Sequence, residues 1–223
     1  MSNTSKGKGT KGSKFWMQEV VNTEMQKELN ERIGEKLIWL SPLEGVNSDY
    51  LEYELRQKSI CDEIGITEDQ RKRIFTFWPN RQPQWDGIAL SEDKKTLYLV
   101  EAKAHLSEMR SKISAGAESK IVIEKSMGEV FDKYYGNGKF ECWKDVYYQL
   151  GNRLTFLNKL NEISAETGLK VKLVLLNFVG DYTYKSTTIE QWENHYKEVF
   201  KDMIGCEEAP KDVIVVNFEV KDK

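Results

Sequence analysis

Apolar and polar positions alternate in a few regular patterns along the chain. From Phe15 to Leu40, Trp16, Val20, Met25, Leu29 and Ile33 recur at near-helical spacing until Gly34 interrupts them, which predicts a first helical stretch. Asn47-Ser48-Asp49 then offers an N-cap for a second helix from Tyr50 to about Ile64. The β-branched and aromatic run Arg73 to Trp78, closed by Pro79-Asn80, predicts a strand. Trp85 to Leu90 and Leu97 to Lys103 flank a charged turn, which is the pattern of a hairpin. Trp143, Val146, Tyr147, Leu150, Leu154, Leu157 and Leu160 form the stripe of one long helix, with Gly168 as its stop. A buried-type strand from Val171 to Val179, a helix from Thr188 to Met203 and a strand from Val213 to Val220 follow. The order helix, three strands, helix, strand, helix, strand, with no internal repeat, predicts one α/β domain built on a central mixed β-sheet flanked by helices.

Composition narrows the chemistry. The 223 residues are 39% hydrophobic and 31% charged, which suits a folded body with a real core. The longest aliphatic runs, Leu173 to Leu176 and Val213 to Val216, fall far short of the roughly 18 residues of a spanning helix, so no membrane partner is expected. The first residues lack the apolar core of a secretory signal, and a cytoplasmic location is expected. Residues 1–14 carry four lysines and no acid and read as a flexible basic tail, a solvated terminus or a weak, salt-sensitive contact with phosphates. Residues 15–223 form the domain, with 104–139 a helical insertion between the third strand and the long helix. Cys61, Cys142 and Cys206 stand far apart, and His105 and His195 are the only histidines, so thiolate and imidazole metal sites are poorly supplied. Carboxylates and lysine remain.

The hairpin gathers them. If Leu90 faces Leu97, antiparallel register carries Asp86 opposite Glu101, and the period of two puts both on one face with Lys103. Like charges directly across a strand pair cost about 0.2–1 kcal/mol, and more when desolvated. A hard divalent cation such as Mg²⁺ or Mn²⁺ relieves that repulsion, binding through one or two carboxylates and keeping several waters. A lysine two residues after the glutamate can orient an attacking water or stabilise developing negative charge. These residue types suit metal-assisted hydrolysis of a phosphodiester. The acid-x-Lys tripeptide alone is weak, since Asp93-Lys94-Lys95, Glu118-Ser119-Lys120 and Glu219-Val220-Lys221 also have it; the apolar strand and the facing aspartate set Glu101 apart.

Gln84-Trp85-Asp86-Gly87-Ile88-Ala89-Leu90 followed by Leu97-Tyr98-Leu99-Val100-Glu101-Ala102-Lys103 resembles the PD-(D/E)XK nuclease superfamily, with Trp85 where a proline often precedes the aspartate. The resemblance implies a restriction-endonuclease-like core of helix, three strands, helix and strand, read here from about Asp49 to Val179. It implies a metal-dependent nuclease acting on DNA, with RNA left open, in which Asp86 and Glu101 hold the metal and Lys103 is the catalytic lysine. Some members add a glutamate from the first core helix. On a helix from Tyr50, Glu54 falls within the arc of Leu51, Leu55 and Cys61, while Glu52 points aside, so Glu54 is the candidate third metal ligand. By the same resemblance Gln149, on the helix after the third strand, supports the site. Arg153, four residues on, is a candidate phosphate clamp, and His105 would continue the strand face beyond Lys103 toward substrate. Trp78 and Trp85 either stack on unpaired bases or fill the core. Cutting both strands would call for two sites and hence a homodimer. The alternative is a catalytically silent nucleic-acid-binding or scaffold protein on the same fold.

Overall fold

The computed structural model describes residues 7–45 and 47–221. Helices α1 (Gly12–Asn22) and α2 (Met25–Ile33) come first. Gly34 then closes α2 in the left-handed region (φ 80°), donating its N–H to Asn30 and Glu31 carbonyls. Beyond this cap the chain extends into β1 (Leu37–Ser41), whose Leu37, Trp39 and Ser41 point inward while Ile38 is exposed. The predicted helix to Leu40 is therefore replaced by two helices and a strand, because Gly34 ends a helix and the alternating Leu-Ile-Trp-Leu-Ser has the period of a strand.

The next two expectations also change. Only Lys58–Glu63 (α3) of the predicted second helix is helical; residues 50–57 run irregularly, and Tyr53 pairs as an isolated antiparallel bridge with Trp85. The predicted strand at Arg73–Trp78 is the end of α4 (Glu68–Ile74) and a turn. A reciprocal cap between Thr67 and Gln70 starts α4, and the aromatic residues after it, Phe75 and Trp78, are buried from the turn.

The hairpin forms as read, from β2 (Gly87–Ser91) and β3 (Thr96–Lys103), with Leu90 opposite Leu97. A single 3₁₀ turn (Leu106–Met109) leads to α5 (Ala117–Tyr134), α6 (Phe140–Asp145), α7 (Tyr148–Glu162) and the short α8 (Ser164–Thr167), which Gly168 caps. Then follow β4 (Lys170–Val179), α9 (Ile189–Ile204) and β5 (Val213–Glu219). The long predicted helix is split into α6 and α7 at Val146–Tyr147. There Ser111 enters from the insertion, donating its N–H to the Val146 carbonyl (2.8 Å) and accepting from Tyr148 N–H (3.1 Å).

The five strands lie in the order β1-β2-β3-β4-β5, antiparallel across β1, β2 and β3 and parallel across β3, β4 and β5. The protein is thus α/β, with a mixed sheet covered on both faces. Trp16, Val20 and Leu29 of α1 and α2 pack with Tyr98, Val100 and Phe178 on one face. On the other, Leu97, Leu99, Leu173 and Leu175 meet α7 through Leu150, Leu154 and Leu157. Helix α5 belongs to this second core through Ile123, Met127 and Val130, so the insertion is part of the packed body. Of the expected tail, residues 7–14 lie against that body: Gly7 N–H reaches Asp49 O (2.8 Å), and Gly9 N–H reaches Gln18 Oε1 (2.7 Å). Among the described residues no helix is long and apolar enough to cross a membrane.

Gly151 sits where α5, α6 and α7 converge; a Cβ there would lie 2.7 Å from Met127 Cε and 3.0 Å from the Trp143 carbonyl oxygen. Gly151→Ala is expected to cost about 1–3 kcal/mol through overpacking, measured as a lower urea midpoint at unchanged slope.

Candidate functional site

The face shared by β3 and β4 changes character along its length. Its first part is aliphatic, Leu97 and Leu99 beside Leu173 and Leu175. Toward the carboxyl ends Glu101 and Lys103 take over, and Lys103 stands in register with Asn177 of β4. Gly87 opposite Val100 is the last paired rung of the hairpin, so Asp86 occupies the next position, across from Glu101. Its Oδ2 accepts the N–H of Ala102 (2.7 Å), which ties the aspartate to β3. The structure thus brings Asp86, Glu101 and Lys103 together as the register requires.

Glu101 is buried and held by two cations. Lys103 Nζ donates to Oε1, and Arg153 Nε, reaching down from α7, donates to Oε2 (2.6 Å). Arg153 also donates to Asn152 Oδ1 (3.1 Å) and the Gln84 carbonyl (2.7 Å), and its guanidinium lies 4.3 Å from the Trp85 ring centroid. With so many partners inside a buried setting, it orders the site's floor. Arg153, expected as a phosphate clamp, lines the cleft with its Nε, Nη1 and Nη2 already bonded to Glu101, Asn152 and Gln84.

Burial works against the Glu101 charge, but Arg153 and Lys103 outweigh it and hold the carboxyl down at about 2. Asp86 responds the opposite way: burial first, then the Glu101 charge, pushes it up to about 7. Burial also opposes the Lys103 charge, yet Glu101 and Asp86 keep its pKa raised, so the ammonium stays protonated.

Asp86 forms part of a cleft of about 650 Å³ between the 79–84 loop, the start of α5 and the start of α7. Glu52, Glu54, Gln149 and Asn152 line it as well. Glu54 is not on a helix; it is buried in the 50–57 segment, and its Oε2 accepts the Gln82 N–H (3.3 Å). Glu52 is the neighbour whose charge reaches Asp86. His105 turns away from the cleft: its Nε2 lies 3.3 Å from Glu108 Oε1, and its Nδ1 lies 2.6 Å from Ser107 Oγ. Trp85 is fully buried against Phe156 and Trp78 is buried beside it, so core packing is their observed role.

Two polar residues escaped sequence reading. Asn177, buried beside Lys103, accepts from Tyr196 Oη (3.0 Å) and donates to Asn217 Oδ1 (3.0 Å); its signal is a polar break within the apolar run Leu173–Val179. Gln82 in the cleft wall accepts the Arg56 N–H (3.1 Å), while its buried Nε2 has no partner among the described residues; no local pattern marked it.

Among the described residues, no three His, Cys, Asp or Glu side chains are grouped to hold a metal ion. The donors at hand are carboxylate oxygens, Asp86 and Glu101 with Glu52 in the same cleft. That set fits a hard cation that keeps most of its waters, and not zinc.

A native pKa raised above the unfolded value means that the folded state binds more protons between the two, so stability falls as pH rises from about 4 to 7. Asp86→Asn is expected to abolish that decline and to make the metal-free protein more stable than the parent at pH 8, as measured by urea unfolding in EDTA across pH. Arg153→Ala leaves the Glu101 charge half-compensated in a buried site and is expected to cost about 3–5 kcal/mol. Loss of less than about 1 kcal/mol in the same unfolding assay would contradict its ordering role.

No family model, curated protein or solved structure matches this chain.

Proposed function

We propose that the protein is a divalent-metal-dependent nuclease that hydrolyses DNA phosphodiester bonds, of the PD-(D/E)XK kind with a restriction-endonuclease-like core. One observation carries the reading: Asp86, just before β2, lies across from Glu101 of β3 with Lys103 beside it, and Asp86 lines an open cleft behind which Glu101 and Lys103 are buried. The core read from about Asp49 does not form, since Arg73–Trp78 is not a strand; the order helix, three strands, helix, strand is kept by α1 and α2, β1, β2 and β3, α7 and β4 if α3 and α4 between β1 and β2, and α5, α6 and α8 around α7, are additions to it. In this arrangement the first core helix precedes β1, so Glu54 loses its helical warrant and shares the third-ligand role with Glu52.

Asp86 and Glu101 would hold Mg²⁺ or Mn²⁺, which supplies Lewis-acid stabilisation of phosphoryl charge and a more acidic water. The chain's own residues do the rest. Asp86 must be ionised to bind a cation, so proton and metal compete for it below about pH 7. Arg153 holds Glu101 in place from the side opposite Lys103. Lys103, protonated, donates a hydrogen bond to a non-bridging phosphate oxygen and lowers the barrier as charge builds there; its raised pKa makes it a poor general base. Gln149 supplies a donor along the cleft for a flanking phosphate or sugar oxygen.

A second reading, a catalytically silent nucleic-acid-binding protein, is favoured by one fact: both Glu101 oxygens already have cationic partners. Calorimetric titration with Mn²⁺ at pH 8 separates the two. The nuclease reading expects binding, cleavage of DNA with Mg²⁺ or Mn²⁺, and loss of at least about 100-fold in rate for Asp86→Ala and Lys103→Ala. Absence of Mn²⁺ binding, or activity persisting in both variants, would favour the silent protein or another site.

A further inference from the structure

The carboxyl ends of β3 and β4 open onto a second surface, beside the cleft, that no step above employs. After β4 the chain turns at Gly180 (φ 77°) and forms a loop that closes when Gly180 N–H meets the Thr187 carbonyl (3.1 Å). Asp181 fastens this loop from inside: its Oδ1 accepts Trp16 Nε1 (2.8 Å), Thr183 N–H (2.8 Å) and Thr183 Oγ1 (2.6 Å). Thr183 Oγ1 in turn accepts the N–H of Gly12 at the start of α1 (2.9 Å). The loop is therefore an organised element, yet it holds two tyrosines outward, Tyr182 and Tyr184, 49% and 50% exposed.

The surroundings of Tyr184 are basic. Lys11 Nζ lies 4.4 Å and Lys185 Nζ 5.2 Å from its ring centroid, and both lysines are exposed. The His105 ring lies 5.4 Å away, two residues along the chain from Lys103, so the patch adjoins the candidate site. The neighbouring acids are engaged elsewhere. Asp181 is buried in the loop, and Glu108 accepts from Ser13 Oγ (2.7 Å) and from the N–H groups of Ala104 (3.2 Å) and His105 (3.3 Å). What reaches solvent is the Tyr184 ring with two ammonium groups over it, and beside it Tyr182, whose ring meets Trp16 edge-on (5.3 Å), at the carboxyl ends of parallel strands where ligands of open α/β sheets bind.

We propose that the Tyr182–Tyr184 loop, with Lys11 and Lys185, is a platform for single-stranded DNA: one unpaired base stacks on Tyr184, and the lysines contact its flanking phosphates. The choice of DNA rests on the nuclease reading; the platform itself rests on the loop. Once an exposed lysine head swings from over the ring to a phosphate, Tyr184 offers a π-face that any base can use, while base edges have no fixed donors to read, so binding is tolerant of sequence. A duplex keeps its bases stacked on each other and cannot present one to Tyr184 without unpairing it, which makes the patch selective for strand state. The strand then runs from a stacked anchor past His105 toward Lys103 and Asp86.

The test is anisotropy of a fluorescent 15-nucleotide oligothymidylate with the full chain in EDTA, where no metal-dependent cleavage occurs. The parent is expected to bind this strand more tightly than a duplex of equal length. Tyr184→Ala is expected to weaken it about 5- to 100-fold, with an unchanged thermal melt, and Tyr184→Trp to retain it. Lys11→Gln with Lys185→Gln is expected to lower the slope of log affinity against log salt by about 1.4, two phosphate contacts on a single strand. A change below twofold in well-folded Tyr184→Ala, equal binding of duplex, or preference for an RNA strand or an acidic peptide would overturn the proposal. Cleavage assays are separate: Tyr184-dependent binding without nuclease activity would remove the catalytic reading and leave the platform, and metal-dependent cleavage with Tyr184-independent binding would do the reverse.

Discussion

The buried carboxylate of Glu101 is the constraint around which this protein is organised. A lone ionised carboxylate inside a protein costs several kcal/mol in lost hydration, and Glu101 meets that cost with two hydrogen-bonded cations, Lys103 from its own strand and Arg153 from α7. The second bond spans 52 residues of sequence and crosses from sheet to helix, so α7 can dock on β3 in only one axial position. Because Arg153 also bonds the Gln84 carbonyl and faces the Trp85 ring, the strand that delivers Asp86 is registered by the same guanidinium. Apolar residues of similar volume would stabilise such a place at least as well. What they could not do is fix the direction of a carboxylate beside a cleft.

That arrangement explains why two facing acids behave so differently. Both lose water on burial, but Lys103 and Arg153 bond Glu101 directly, while Asp86 has only the more distant Lys103 charge and the Ala102 N–H to set against burial and the neighbouring negative charge. The pair is therefore divided into a permanently charged member and one poised near neutrality. On the proposed reading, a cation entering the cleft would gain most from Asp86, whose charge is least compensated. Asn177 extends the polar zone onto β4, so the transition from aliphatic core to charged floor follows the parallel strands toward their carboxyl ends, where the cleft opens.

What was legible in the sequence follows the range of the interactions involved. The hairpin register, and with it the meeting of Asp86 and Glu101, depends on a short turn and a period of two, both local. Strand β1 was hidden because Gly34 interrupts a helix equally well in the middle or at its end, and only tertiary pairing with β2 decides. Arg73–Trp78 has strand composition, yet the Thr67–Gln70 cap upstream nucleates a helix and the aromatic residues spend their area on the core from a turn. The break between α6 and α7 lies within one unbroken apolar stripe, and its cause, Ser111, comes from more than 30 residues away. Glu54 shares an arc with Leu51, Leu55 and Cys61 only on a helix from Tyr50, but helix begins at Lys58, so Glu54 reaches the cleft wall from an irregular segment.

The other acid-x-Lys tripeptides, two of them overlapping at Glu92 to Lys95, make the decisive comparison, since they hold the chemistry of the motif constant and vary only its surroundings. Asp93-Lys94-Lys95 occupies the exposed hairpin turn, where Asp93 accepts from Ser91 Oγ (2.6 Å) and Lys95 N–H (3.0 Å). Glu118 and Lys120 are exposed on the first turn of α5, and Glu219 and Lys221 are exposed at the end of β5. In each the ammonium and carboxylate face water, where an ion pair is worth less than about 1 kcal/mol and neither group is driven to hold a ligand. Only at Glu101 and Lys103 does a helix close over the pair and a second acid face it across the sheet. The site is therefore a property of burial imposed on a common tripeptide, and Arg153 of α7, more than either residue of the motif, is what separates it from its other copies.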